Sequence, residues 1–206
     1  MPLPMKNLGS LFSLMILISF INPLLAQQNT DTSQRHPIYD LSEANMVNVD
    51  TIPNYGSKQD QIKITGTIYL SDGVTPANNV ILYIEQADED GSFDLRKSDE
   101  KRYNYYRSWV KTNADGKYTL YTFIPGYDRT YNQLQEIFPV IKEPSQQEYA
   151  IATFLFDDDP LLSRRCRRQI AKHSDPSRIL KLKKQEDGSM MAQHNIILPS
   201  ANEAAK

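Results

Sequence analysis

Residues 106–123 read YRSWVKTNADGKYTLYTF, and this stretch constrains the fold more than any other part of the chain. Two runs rich in β-branched and aromatic residues are separated by Asn113–Gly116, a composition typical of a tight turn. Gly116 adopts the positive φ that such a turn needs at little steric cost. The stretch therefore predicts a β-hairpin and favours a fold built of short strands.

Further strand-like runs follow at near-regular spacing. In residues 61–70 (QIKITGTIYL) apolar side chains alternate with Lys63, Thr65 and Tyr69, which is the two-residue period of a half-buried strand. The apolar set of this run is Ile62, Ile64, Ile68 and Leu70. Residues 80–86 (VILYIEQ) begin with five consecutive apolar residues, as a strand inside a sandwich would. Shorter runs of the same character lie at 136–142, 149–156 and 194–198.

Short strands separated by turn residues predict an all-β fold, an antiparallel or mixed β-sandwich. Only one or two short helices are expected, both near the C-terminus: one at about 160–172 and, where a second forms, one at 176–184. The polar residues 87–104 predict a long loop between strands, and functional residues often lie on such loops.

The N-terminus has the pattern of a secretory signal peptide over residues 1–26. Lys6 precedes an apolar run from Leu11 to Leu25, which ends at Ala26 before polar residues. The run is short for a membrane span, and an uncleaved signal anchor is the alternative. We therefore expect an exported protein, periplasmic or extracellular, with no membrane span after removal of the signal.

Composition divides the remaining chain into three parts. Residues 27–60 are rich in Gln, Asn, Asp, Thr and Ser and predict a polar leader that is mobile and becomes ordered only near the domain. The sequence leaves open whether this leader packs on the domain or remains free. Residues 61–199 predict the sandwich domain, and residues 200–206 a polar tail. Cys166 is the single cysteine, so the chain cannot form an internal disulfide.

Charge gives few functional signals. The 23 Lys and Arg residues against 25 Asp and Glu give a net charge of -2, which argues against a nucleic-acid-binding surface. The basic run RRCRRQIAK at 164–172 indicates either a site for anions or a solvated helix whose charges suit the helix dipole. His36, His173 and His194 are far apart in sequence, without metal-ligand spacing, and each is predicted to be an ordinary surface residue.

Four stretches carry a resemblance to a known family. They are GTIYLSDGVTPANNVILYIEQADEDGSF, RSWVKTNADGKYTLYTFIPG, PVIKEP and FLFDDDPLL, in this order between Lys63 and Leu162. This part of the chain resembles the intradiol ring-cleavage dioxygenases, which include the protocatechuate 3,4-dioxygenases and catechol dioxygenases. The resemblance implies a β-sandwich and a ferric ion held by two tyrosinates and two histidines. It also implies oxidative opening of a catechol ring.

The positions that match the family's four iron ligands hold other residues in this chain. By the resemblance, Phe93 and Asp128 occupy the positions of the family's two tyrosines. Glu136 and Phe138 occupy the positions of its His-x-His pair. Tyr127 stands one place before the second tyrosine position. Residues 136 and 138 are two apart on a predicted strand, so their side chains should share one face. Arg129 is the expected local partner for the two carboxylates.

These substitutions predict a degenerate iron site with no cofactor and no assigned catalytic residue. The protein would then be a non-catalytic binding or interaction module, with Tyr127 and Arg129 lining a pocket for a small aromatic or polyol ligand. One alternative is an active dioxygenase with a divergent ferric site formed by Asp128, Glu136 and Tyr127. A second alternative is a purely structural β-sandwich.

Overall fold

The computed structural model describes residues 35–98 and 101–200, and over these ranges the chain is mostly β-sheet. In chain order the strands are β1 (Val49–Thr51), β2 (Gln61–Tyr69), β3 (Ile81–Gln86), β4 (Leu95–Ser98), β5 (Lys101–Asn104), β6 (Arg107–Lys111), β7 (Lys117–Phe123), β8 (Glu136–Lys142), β9 (Tyr149–Ala150), β10 (Phe154–Phe156), β11 (Ile179–Leu180), β12 (Lys183–Lys184), β13 (Met190–Gln193) and β14 (Ile196–Ile197). The α-helix is α1 (Arg164–His173), and short 3₁₀ turns span Pro37–Tyr39, Glu43–Asn45, Tyr55–Ser57 and Pro176–Arg178.

Two mixed sheets form the sandwich. The first has the order β1-β7-β2-β13-β12, with β14 also paired to β2, and the second has the order β11-β10-β8-β3-β6, with β9 also paired to β8. Parallel pairing joins β1 to β7, both β13 and β14 to β2, and β11 to β10. The strands β4 and β5 form a separate antiparallel pair. The predicted mixed β-sandwich is confirmed.

The core lies between the two sheets. The first sheet contributes alternate side chains such as Ile64 and Leu120, and the second contributes Leu82, Val110 and Ile141, all fully buried. The strands β2, β6 and β8 therefore turn every second residue inward, as a two-residue period predicts. Leu70 is an exception to the predicted set, because β2 ends at Tyr69 and leaves Leu70 exposed.

The hairpin predicted for residues 106–123 is wrong in its pairing. The turn is present, with the Gly116 amide donating to the Asn113 carbonyl at 2.9 Å and Gly116 at φ +68°. However, β6 pairs with β3 in the second sheet, and β7 pairs with β1 and β2 in the first. The chain crosses between the sheets at this turn, because Val110 and Tyr118 enter the core from opposite sides.

Residues 35–60, the described part of the predicted leader, pack on the sandwich. The strand β1 belongs to the first sheet, and Ile38 and Met46 are buried against Ile81 and Tyr83 of the second. The folded unit therefore reaches back beyond Gln61.

The C-terminal part contains one of the two predicted helices. The helix α1 begins after Ser163, whose hydroxyl accepts from the Cys166 amide as an N-cap. The second predicted helix, at 176–184, is replaced by the 3₁₀ turn and the strands β11 and β12.

The predicted signal peptide 1–26, the start of the leader at 27–34 and residues 201–206 of the tail lie outside the described residues, as do residues 99 and 100. Within residues 35–98 and 101–200 we find no helix with the length and apolar character needed to cross a membrane.

Candidate functional site

The strand β8 places the two predicted histidine positions on one face. Ile137, Pro139 and Ile141 point into the core, whereas Glu136 and Phe138 alternate with them and remain half-buried on the outer face of the second sheet. The shared face predicted for Glu136 and Phe138 is confirmed.

The turn that follows β3 positions the first tyrosine equivalent, Phe93. The Asp88 carboxylate accepts from the backbone amides of Asp90 at 2.9 Å and Ser92 at 2.8 Å. Gly91 has φ +86°, a conformation that glycine adopts readily. This compact turn reverses the chain and brings Phe93 to the edge of the outer face.

A second loop packs directly on this turn. The Gly126 amide donates to the Asp88 carbonyl at 2.7 Å, and the Gln133 side-chain amide donates to the Gly91 carbonyl at 3.1 Å. A Cβ atom on Gly126 would lie 2.3 Å from the Gly91 nitrogen and 2.4 Å from the Glu89 carbonyl oxygen. The two loops therefore approach so closely that only glycine fits at position 126.

This arrangement brings two of the four predicted positions into contact. The rings of Phe93 and Phe138 have centroids 5.8 Å apart and planes inclined at 52°. This is an ordinary geometry for packed aromatic side chains. Phe93 is still 39 % exposed, so the pair presents ring surface to solvent.

Asp128 is held by its own loop. Its carboxylate accepts from the backbone amide of Thr130 at 2.7 Å and from that of Tyr131 at 3.3 Å, and its backbone exchanges two hydrogen bonds with Gln133. One carboxylate oxygen is therefore engaged in stabilising the turn.

Arg129 does not pair with either carboxylate as predicted. Its guanidinium carbon lies 5.4 Å from the centroid of the Tyr127 ring, in a cation–π contact. Backbone amides engage one oxygen of Asp128 instead. In the part of the chain that the structure describes, Glu136 has no ion-pair partner. Since Glu136 is only half-buried, water can solvate its carboxylate.

The residues at the four positions do not fit a ferric ion of the kind that the resemblance implies. Phe93 and Phe138 offer no donor atom, so only the second oxygen of Asp128 and the Glu136 carboxylate remain in place of two tyrosinates and two imidazoles. A hard ferric centre needs anionic oxygen or imidazole donors. Over the described ranges, no three His, Cys, Asp or Glu side chains gather as a metal-binding group.

The N-terminal segment covers the outer face of the second sheet next to Phe138, at Tyr83 and Val140. The His36 ring contacts Tyr83 edge-to-face at 5.5 Å, and the Trp109 indole donates to the Ile38 carbonyl at 3.1 Å. Burial, together with a hydrogen bond to Glu148, raises the pKa of Tyr39 to about 12. The one sequence signal for this cover is an apolar residue in a polar segment, such as Ile38.

His194 was expected on the surface and is buried instead. Its ring is only 4 % exposed and packs edge-to-face on Phe154 with centroids 4.8 Å apart. Burial lowers the pKa of His194 below its ordinary value of 6.5. Its Nδ1 atom has no hydrogen-bond partner among the described residues.

Comparison with known proteins gives matches at the level of structure. No protein-family model matches the chain. No curated protein sequence matches it.

Several solved structures share the fold. The dioxygenase domain of a dioxygenase carbohydrate-binding protein fusion from Streptomyces sp. SirexAA-E matches with a TM-score of 0.54 and 19 % identity over 70 % of this chain and 82 % of that one. An intradiol ring-cleavage dioxygenase from Tetranychus urticae matches with a TM-score of 0.54 and 16 % identity, over 78 % of this chain and 90 % of that one. Catechol 1,2-dioxygenase from Acinetobacter radioresistens matches with a TM-score of 0.56 and 16 % identity. The match covers 77 % of this chain and 59 % of that enzyme.

These similarities define the class of fold. The chain has the β-sandwich fold of the intradiol ring-cleavage dioxygenases, as the sequence motifs predicted.

Proposed function

We propose that this chain is an exported protein that keeps the intradiol dioxygenase fold without its ferric chemistry. It acts as a non-catalytic module that binds a small aromatic or polyol ligand, or a partner protein. The contact between Phe93 and Phe138 carries the proposal, because two phenyl rings fill positions at which ferric iron would need donor atoms. Function follows the residues of the site rather than the fold.

The outer face offers suitable chemistry for such a ligand. The exposed ring surface of Phe93 and Phe138 can stack on an aromatic ring or on the apolar face of a polyol. Glu136, on the same strand face as Phe138, can accept a hydrogen bond from a ligand hydroxyl group. The Tyr127 ring and the Arg129 guanidinium are adjacent to each other on the neighbouring loop.

Iron loading tests the loss of ferric chemistry. The purified protein is incubated with ferric iron, desalted and analysed for bound metal, for visible absorbance and for oxygen uptake with catechol. We expect colourless protein with little bound iron and no oxygen uptake. The positive control is a catechol 1,2-dioxygenase treated in the same way.

The opposite result supports the rival enzyme. Stoichiometric iron with the wine colour of tyrosinate-to-iron charge transfer, or oxygen uptake with catechol, would establish an active dioxygenase. Asp128, Glu136 and Tyr127 would then be the residues to substitute first.

A pair of substitutions tests whether the positions are assigned correctly. The double variant Glu136→His/Phe138→His should bind Ni²⁺ about tenfold more tightly than either single variant, because the two imidazoles share one strand face and act together. Equal affinities for the double and single variants would mean that these side chains do not converge as proposed.

Ligand binding separates a binding module from a structural sandwich. A thermal-shift screen with catechols and with neutral polyols should raise the melting temperature in a saturable way for the unmodified protein. The variant Phe138→Ala should lose most of this shift. No stabilisation at high ligand concentration would favour the purely structural role.

Export is tested by cell fractionation of the full chain. We expect the protein outside the cytoplasm, with a new N-terminus after Ala26. Full-length protein retained in the membrane fraction would instead support a signal anchor.

A further inference from the structure

A pocket formed by residues 176–195 is separate from the four positions matched to iron ligands. It has a volume of about 780 Å³, within the usual range for small-molecule sites. Its walls are the 3₁₀ turn and the start of β11 on one side and the strands β12 and β13 on the other. The chain passes here from the edge of the second sheet to the edge of the first.

Strand register determines which side chains enter the pocket. In the antiparallel pair of β12 and β13, Lys183 lies opposite Met191, and both line the pocket. The next pair along, Lys184 and Met190, is not part of the lining, since successive residues of a strand face opposite sides. Lys181 lies two residues before Lys183 and also lines the pocket.

The lining combines positive charge with neutral polar groups and apolar surface. Lys181 and Lys183 supply two ammonium groups, Gln193 supplies an amide, and Ile179 and Met191 supply apolar surface. Asp175, whose negative charge acts on His194, offsets part of this charge and leaves two ammonium groups against one carboxylate. Both of its oxygens accept hydrogen bonds from Ser177, one from the backbone amide at 2.8 Å and one from the hydroxyl at 2.6 Å.

The buried histidine is the second indication of a ligand. His194 lines the pocket, and its buried Nδ1 atom has no partner in the described part of the protein. An unsatisfied buried nitrogen is unfavourable, and because Nδ1 has almost no accessible surface, a ligand hydroxyl satisfies it only when the His194 ring turns toward the pocket. Because burial lowers the pKa of His194, the neutral ring can accept such a hydrogen bond.

We propose that this pocket binds a small hydroxylated anion of the acidic-sugar type, a polyhydroxylated ring that carries a carboxylate or a phosphate. The two ammonium groups recognise the anion. Gln193 and His194 bind hydroxyl groups, and Ile179 and Met191 contact the apolar face of the ring. The inference does not depend on the loss of iron, because none of these residues belongs to the four iron-ligand positions.

Calorimetric titration of the metal-free protein tests the proposal. The probes are glucuronate, glucose 6-phosphate and neutral glucose at equal ionic strength. We expect saturable binding of at least one anionic probe and no detectable binding of glucose at the same concentration. The stronger of the two anions identifies whether carboxylate or phosphate is preferred.

Two neighbouring lysines provide a matched comparison. Lys183→Gln should weaken binding of the anion about tenfold, the loss of one charge-assisted hydrogen bond. Lys184→Gln removes the same charge one residue further along and should leave the affinity unchanged, since its side chain does not line the pocket. Both lysines are exposed, and unchanged melting temperatures would verify that both variants are folded.

Three results would overturn the proposal. They are the absence of saturable binding for both anions, equal binding of glucose, and equal weakening by the two lysine variants, which would indicate general charge attraction. Iron content measured on the same samples keeps this test separate from that of the proposed function.

Discussion

Gly126 and Gly91 determine how closely the two loops of the candidate site approach. The Gly126 amide hydrogen-bonds the turn that carries Phe93, and a side chain at position 126 would overlap backbone atoms of that turn. The ring contact between Phe93 and Phe138 therefore depends on residues that contribute no functional group. The absence of a side chain at position 126 therefore helps to position the two rings.

The substitution Gly126→Ala should separate the loops. Its Cβ would meet backbone atoms at 2.3 and 2.4 Å, which cannot move without displacing the turn. We expect the free energy of unfolding, measured with denaturant, to fall by about 1–3 kcal/mol.

Gly56→Ala is the matched control, because no atom lies within 4 Å of its added Cβ. It should change the free energy of unfolding by less than about 0.5 kcal/mol. Equal effects of the two substitutions would show that the close approach at Gly126 is unimportant.

His194 should make stability depend on pH. Burial lowers its pKa in the folded protein, more than Asp175 and a backbone hydrogen bond with Ser177 raise it. The unfolded chain then binds the proton more readily, so the contribution of His194 to stability is full above about pH 6.5 and is lost as the pH falls below it.

Denaturant unfolding between about pH 8 and pH 5 measures this effect. The free energy of unfolding of the unmodified protein should fall more steeply with decreasing pH than that of His194→Gln. Parallel curves for the two proteins would contradict the lowered pKa.

At the level of elements, the N-terminal segment closes the exposed edge and outer face of the second sheet. The Asp50 carboxylate accepts from the Trp109 amide and the Ser108 hydroxyl on β6, and the Lys111 amide donates to the Val47 carbonyl. These bonds satisfy the edge strand, which would otherwise expose unpaired backbone groups.

Ile38 should anchor this segment. It is 1 % exposed and packs with Tyr83, so Ile38→Ala should lower the free energy of unfolding by about 2–4 kcal/mol. Val47→Ala, at a position 61 % exposed, should cost less than about 0.5 kcal/mol. If both variants unfold at the same denaturant concentration, the segment contributes little to stability.

At the scale of the whole molecule, the two sheets bury a continuous apolar core between them. Burial of this kind stabilises the fold without a metal ion. The four positions of the candidate site lie outside the core, on or beside the outer face of the second sheet.

Treatment with a strong chelator should therefore leave the melting temperature of the protein unchanged. Calorimetric scans before and after chelation measure it. A clear decrease that iron reverses would indicate that a bound metal stabilises the folded state, contrary to the proposed function.

Local patterns predicted much of the fold. The strand-like runs in the sequence predicted β2 and β8. The motifs predicted the β-sandwich fold of the intradiol dioxygenases. The identities of residues 93, 128, 136 and 138, which the resemblance matches to iron ligands, were also available from the sequence. The shared face of Glu136 and Phe138 followed from the two-residue period of a strand.

The tertiary structure alone decided how these parts combine. Turn residues at 113–116 predict a reversal of the chain, but burial on both sides of the core sends β6 and β7 into different sheets. In the same way, packing placed Phe93 against Phe138, engaged Asp128 with its own loop and buried His194. By itself the sequence determined the strand periods, the turns and the chemistry at each position, which are local properties. Strand partners and burial depend on residues distant in the chain, so only the folded structure could determine them.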